Sequence, residues 1–194
     1  MADNVTADSL RKAIKRGDVP PVILLHGEEG FYTDLIAREV ETLVAPEDRD
    51  FDLTLLYATD TEPAAVIEAA RRYPMMTSRQ VVIVRELQEG CKPRFTTTAY
   101  LNALAPYVRN PSDSTVLCLC CRGAQAKGAE FTKALKEGNG VALESKKLNE
   151  RVVAQTVADF IAGRGLTADP KALAMLCEFV GTDLSRLYNE VDKL

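Results

Sequence analysis

Apolar residues fall into short continuous runs along the chain, separated by longer amphipathic stretches. Val22–Leu25, Leu53–Tyr57, Val81–Val84, Val116–Cys120 and Val141–Leu143 have strand length and are bounded by turn residues. Between them, Phe31–Leu43 places Leu35, Ile36, Val40 and Leu43 at helical spacing, and Pro63–Arg72, Ala99–Val108 and Gly128–Lys136 also read as helices. Strands that alternate with helices, each strand nearly continuous in Val, Leu and Ile, predict an α/β domain built on a parallel sheet with helices on both faces. This pattern occupies residues 1–146.

Strand-length runs stop after Leu148. In "NERVVAQTVADFIAGRG", Asn149 suits an N-cap, Val152, Val153, Val157, Phe160 and Ile161 form one stripe, and the "GRG" ends the helix. A second helix follows from Asp169 and Pro170 to Gly181, and a third starts at Asp183. Residues 147–194 therefore predict a small three-helix domain. The third helix carries no stop signal before Leu194, so further chain is expected to follow it.

Composition narrows the function classes. The 194 residues allow one medium domain plus a small one, and 46% hydrophobic with 27% charged residues predicts a packed core. A net charge of −4 argues against a chain that grips nucleic acid unaided, because phosphate contact needs concentrated Lys and Arg. The candidates for such contact, Lys92, Arg94, Lys127, Lys133, Lys136, Lys146 and Lys147, are scattered and suit solvated faces. No apolar run reaches the roughly 18 residues of a membrane span, and "MADNVTADSLRKAIKRGD" reads as an amphipathic helix without the apolar core of a signal peptide. A cytoplasmic protein with reduced cysteines is expected. Cys118 and Cys121 form a CxxC inside the apolar run "TVLCLCC", but no second pair accompanies them and the single histidine, His26, is distant in sequence. They read as small buried hydrophobes, so no metal is expected.

The stretch "VILLHGEEGFYTD" has the outline of a strand, a phosphate-cradling loop and a helix. A functional loop needs G-x-x-x-x-G-K-[S/T], with glycines for backbone wrapping, Lys for phosphate charge and a hydroxyl for magnesium. Counted from Gly27, the second glycine falls at Tyr32, the Lys at Thr33 and the hydroxyl at Asp34. Gly30 stands within the spacer. Glu28, Glu29 and Asp34 place carboxylates where a triphosphate would lie, at roughly 1–4 kcal/mol of repulsion each. The strand that might offer a magnesium ligand, "VVIVREL", offers Arg85 and Glu86. The chain has no G-x-S-x-G, no H-E-x-x-H and no histidine cluster, so neither catalysis nor a cofactor is expected.

"RRYPMMTSRQ", Arg71–Gln80, joins a helix to the third strand. Pro74 stops the helix and pushes Tyr73 into an extended conformation. A connection of this kind should be polar, yet Tyr73, Met75 and Met76 stand together, flanked by Arg71, Arg72 and Arg79. Two arrangements suit them: tucked under the sheet edge as a satellite cluster, or presented outward to an apolar pocket on a partner protein.

Three stretches in order, "PVILLHGEEGFYTDLIAREV", "RRYPMMTSRQVVIVREL" and "VADFIAGRGLTADPKALAMLCEFVGTDLSRLYNEVDKL", resemble the delta subunit of bacterial DNA polymerase III, over nearly the whole chain. The resemblance implies an AAA+-like α/β domain with a degenerate nucleotide site, then a helical lid. It also implies a C-terminal collar that would carry the contacts with the other clamp-loader subunits and is absent from these residues. It implies an accessory subunit of a DNA-directed DNA polymerase that binds the sliding clamp and opens it, and meets primed DNA only within the complex. Aligned on the "SRQ"-like ending, Met75 and Met76 take the place of the family's paired hydrophobic anchors and Tyr73 that of an auxiliary one. Met-Met replaces the more usual Leu-Phe-like pair.

Other readings make different demands. An active AAA+ ATPase requires the Lys that Thr33 replaces. Another loader subunit would carry an early zinc-binding cysteine cluster and a Ser-Arg-Cys motif after the fourth strand, where "LCLCCRGAQ" stands instead.

Overall fold

The structure is a computed structural model that describes residues 5–90 and 94–193. It divides into two compact units, Met1–Lys146 and Lys147–Leu194.

The first unit holds a five-stranded sheet built from β1 (Val22–Gly27), β2 (Leu53–Tyr57), β3 (Gln80–Arg85), β4 (Thr115–Arg122) and β5 (Val141–Ser145). The spatial order is β2-β3-β4-β1-β5, and every pairing is parallel. Among the described residues, six helices accompany it: α1 (Ala7–Arg16), α2 (Gly30–Glu41), α3 (Arg49–Asp52), α4 (Pro63–Ala70), α5 (Thr97–Arg109) and α6 (Ala129–Glu137). Adjacent strand residues point to opposite faces, so each central strand feeds two cores. Val22, Leu24, Val82, Val84, Leu117 and Leu119 pack with Val66, Tyr100, Leu104 and Phe131 of α4, α5 and α6. Ile23, Leu25, Val81, Ile83, Val116 and Cys118 pack with Leu10, Ile14, Ile36 and Val40 of α1 and α2. Burial on both faces explains why β1, β3 and β4 are continuous apolar runs. Each fully enclosed Val, Leu or Ile contributes about 1.5–3 kcal/mol.

β2 matches its apolar run, and the other strands run two or three residues beyond theirs, because the ladder extends to polar positions such as Gly27, Arg85 and Arg122. The sequence pattern does not signal α3, whose four residues are too few to show a period. On the edge strand β2, Leu56 packs against the core on the α4 side and Leu53 against the core on the other, where Leu55 and Tyr57 remain exposed. Cys118 and Cys121 lie three residues apart on β4 and therefore face opposite cores, so they cannot share a metal. Desolvation pushes the Cys121 thiol up to about 11.

The second unit contains α7 (Glu150–Ala162), α8 (Pro170–Val180) and α9 (Leu184–Asp192), capped by Asn149, Asp169 and Asp183. Val153, Val157, Phe160 and Ile161 of α7 are buried, as are Leu184, Leu187 and Val191 of α9, and the two helices are in contact. Phe160 meets Tyr188 edge-on at 5.0 Å, and the Arg164 guanidinium lies 4.9 Å over the Tyr188 ring. Among the described residues no helix is long and apolar enough to cross a membrane.

Candidate protein-docking site and the remnant of a nucleotide site

The connection from α4 to β3 is a series of bends that presents its apolar side chains to solvent. Tyr73, Met75 and Met76 are 84%, 74% and 61% exposed. Their backbone, by contrast, is held from below. Asp52, at the end of α3 and 1% exposed, accepts from the N–H of Met75 (2.6 Å), Met76 (3.0 Å) and Thr77 (2.6 Å). The Thr77 hydroxyl stands 2.8 Å from the same carboxylate and 2.7 Å from the Arg79 carbonyl. Desolvation would raise the Asp52 pKa, but the hydrogen bonds from Met75, the Thr77 hydroxyl, Met76 and Thr77 outweigh it and hold the carboxyl below its ordinary value. The carboxylate is thus ionised at neutral pH, the form that receives such bonds best.

The two ends of the connection are anchored as firmly. The last carbonyls of α4 have no partners within the helix. The buried Gln80 amide nitrogen, with two hydrogens to donate, lies within hydrogen-bond reach of the carbonyls of Ala69, Ala70 and Arg72 and of the Thr115 hydroxyl. Thr115 and Tyr107 both donate to the Ala70 carbonyl, at 2.9 and 3.2 Å. The Arg79 guanidinium reaches the Gly17 carbonyl at 3.0 Å. A rigid frame with exposed apolar tips is what a docking site requires, since little ordering remains to be done on binding.

The loop after β1 has the opposite character. It consists of only Glu28 and Glu29 between β1 and α2, too few residues to wrap a triphosphate. Three backbone donors in and beside it are already engaged. The Gly27 N–H donates to the Ala124 carbonyl at 2.8 Å, the Glu29 N–H to the Ser145 carbonyl at 3.2 Å, and the Phe31 N–H to the Glu29 carboxylate at 2.9 Å. Gly27 has φ 125°, and a Cβ there would stand 2.1 Å from the Ser145 carbonyl oxygen, so close approach of β5 explains this glycine. Gly30 opens α2, with the Arg122 side chain lying against it. Thr33 takes the position that the lysine of a phosphate loop would occupy. Thr33 is in the first turn of α2 and 1% exposed, so it faces the interior. Nor do the three carboxylates simply repel: Glu29 caps α2, and Asp34 accepts from Arg122 Nε at 2.8 Å. Arg85 is paired with Glu41 at 2.6 Å. A cleft of about 280 Å³ remains between Thr33, Asp34, Arg85, Glu86 and Arg122. A wider pocket of about 580 Å³ adjoins His26, whose pKa is lowered chiefly by desolvation, so its ring supplies no charge for phosphate either.

Of the positive residues weighed for nucleic-acid contact, Arg94 pairs with Glu62. Lys127, Lys133, Lys136, Lys146 and Lys147 are exposed, spread over α6 and the connections before α6 and after β5. Lys92 lies outside the described residues. The sequence pattern gives no role to the side chains of Asp52, Thr77, Gln80 or Arg122. The one available signal for Asp52 is a carboxylate set directly before an apolar strand in "RDFDLTLL".

Strand order, parallel pairing and helices on both faces define an AAA+-like α/β fold, here with the Gly27, Glu29 and Phe31 N–H groups around the loop bonded within the protein. Residues 25–153 match the family described as DNA polymerase III, delta subunit, and the chain belongs to that family. DNA polymerase III subunit delta of Bacillus subtilis is 27% identical over 187 residues, covering 94% of this chain and 54% of that protein. The solved structure of the Bacillus subtilis DNA clamp loader delta protein superposes with a TM-score of 0.80 at 25% identity, over 97% of this chain and 56% of the other. The chain therefore spans about half the length of these relatives. A gamma subunit-related protein of DNA polymerase III from Thermotoga maritima has a TM-score of 0.51 at 15% identity, over 97% of this chain and 57% of that one. A Thermotoga maritima RuvB has 0.52 at 12%, over 94% and 57%. These two share the fold.

Proposed function

We propose that this delta-family chain is a non-catalytic clamp-loader module that docks on the ring-shaped sliding clamp through Tyr73, Met75 and Met76 and favours the open ring. The unit of residues 1–146 acts as the AAA+-like domain and residues 147–194 as its lid, and the cytoplasm is the place of action. The observation that carries the reading is the contrast within Arg71–Gln80, where exposed apolar tips stand on a backbone pinned by Asp52 and Gln80. Truncating exposed side chains removes little folded-state packing. In a partner's pocket, though, each is worth roughly 1.5–3 kcal/mol.

The double substitution Met75→Ala, Met76→Ala is therefore expected to weaken clamp binding about a hundredfold or more while the melting temperature stays near that of the parent. Clamp opening falls with it, because a ligand shifts a closed–open equilibrium only by binding the open form better. Calorimetric titration against the purified clamp of the same cell, with a thermal melt on the same variant, reads both quantities. A destabilised variant with parental clamp affinity refutes the assignment. Contact with the other loader subunits, and with primed DNA through them, belongs to the same proposal.

A further inference from the structure

A second exposed aromatic stands beside the docking turn, and neither the sequence pattern nor the family resemblance marks it. Phe51, in α3, is 53% exposed. It is bonded directly to Asp52, whose carboxylate lies 2.6 Å from the Met75 nitrogen. Those bonds limit the separation of the Phe51 and Met75 Cα atoms to about 12 Å. The sheet topology sets the direction. β2 and β3 are parallel with Leu53 opposite Val81, so the segments entering them, α3 and the Arg71–Arg79 turn, emerge at the same edge of the sheet. Phe51 and the three turn side chains thus belong to one end of the sheet, while Leu55 and Tyr57 lead away from it.

Resting on the docking role of the turn, we infer that Phe51 is a fourth contact on the sliding clamp, so that the docking surface is carried by α3 as well as by the turn. Size requires such an extension. Even if each buried as much as an aromatic, about 150–250 Å², Tyr73, Met75 and Met76 would fall short of the roughly 800 Å² per partner that a stable interface covers. The surface that must join them is whatever borders them, and Phe51 is an exposed apolar residue whose position relative to Met75 is fixed through Asp52. Asp50 precedes Phe51 in the chain and Arg71, Arg72 and Arg79 flank the turn in sequence, which supplies charged residues for a rim. Asp52 couples the two halves, since one buried carboxylate positions both.

Calorimetric titration of the purified sliding clamp with Phe51→Ala, with Met75→Ala, Met76→Ala, and with Tyr57→Ala tests this. Tyr57 is a comparably exposed aromatic at the far end of β2, about 13 Å beyond Leu53. Phe51→Ala is expected to raise Kd about tenfold or more, with its melting temperature and the amide exchange of Met75, Met76 and Thr77 as in the parent, while Tyr57→Ala binds normally. Parental affinity of Phe51→Ala beside a weakened double variant overturns the inference and leaves the docking turn standing. Parental affinity of the double variant overturns both. Lost affinity accompanied by faster exchange at Met75–Thr77 also overturns it, because Phe51 would then act by holding Asp52 and not by touching the clamp.

Discussion

Replacing Asp52 by Asn tests the physical core of the docking site without touching an exposed residue. The amide has the carboxylate's shape, but one acceptor oxygen becomes an NH2 donor. In the parent, one oxygen takes the Met75 N–H and the other takes those of Met76 and Thr77. The substituted amide would serve only one of these sets and oppose donor to donor at the other. A hydrogen bond to a charged acceptor is worth about 1.5–3 kcal/mol, and water reaching the exposed side of the turn recovers part of the loss. A net destabilisation of about 2 kcal/mol follows for the turn and its attachment. At about 2–4 °C per kcal/mol, the sheet unit should melt about 4–8 °C lower.

Hydrogen exchange localises the effect. The amides of Met75, Met76 and Thr77 should exchange up to about 30-fold faster, ahead of those in the central strands. Clamp affinity should fall roughly tenfold, because the anchors must then be ordered on binding. Parental exchange at the three amides together with parental affinity would show that the carboxylate does not hold the turn.

The pH dependence has a definite sign. Because the folded-state pKa of Asp52 is lowered, its stabilisation is complete above the ordinary carboxylate range and is lost as pH falls through the depressed value. The stability gap between the parent and Asp52→Asn should therefore be constant near neutrality and close below about pH 4, as chemical denaturation over a pH series would record. Calorimetry should find no saturable Mg·ATP binding, and Thr33→Lys should not create any; by burying a cation in α2 it should lower the melting temperature instead. Micromolar ATP affinity that disappears on changing Gly27 or Gly30 refutes that account. The thiols of Cys118, Cys120 and Cys121 are buried, and those of Cys118 and Cys121 have raised pKa values. Mass spectrometry should find all three unalkylated in the native protein at pH 8 and modified after unfolding.

By itself, the sequence determined the elements and their order, apart from the four-residue α3. Val81–Val84 and Val116–Cys120 could only be doubly buried strands, Asn149, Asp169 and Asp183 mark helix starts, and Tyr73, Met75 and Met76 stand out where a polar connection belongs. These signals are local, since hydrophobic period, capping and proline geometry act within a few residues. The tertiary structure decided which way the turn faces and what holds it. The Asp52 carboxylate lies 23 to 25 residues from its donors and meets them only because β2 is placed beside β3. The nucleotide remnant divides in the same way. The missing lysine is legible at Thr33, whereas the capture of the Gly27 and Glu29 N–H groups by Ala124 and Ser145, and of Asp34 by Arg122 from 88 residues away, follows from β4 and β5 flanking β1. Strand order is set by the summed burial of the whole sheet, and no short stretch of sequence encodes that sum.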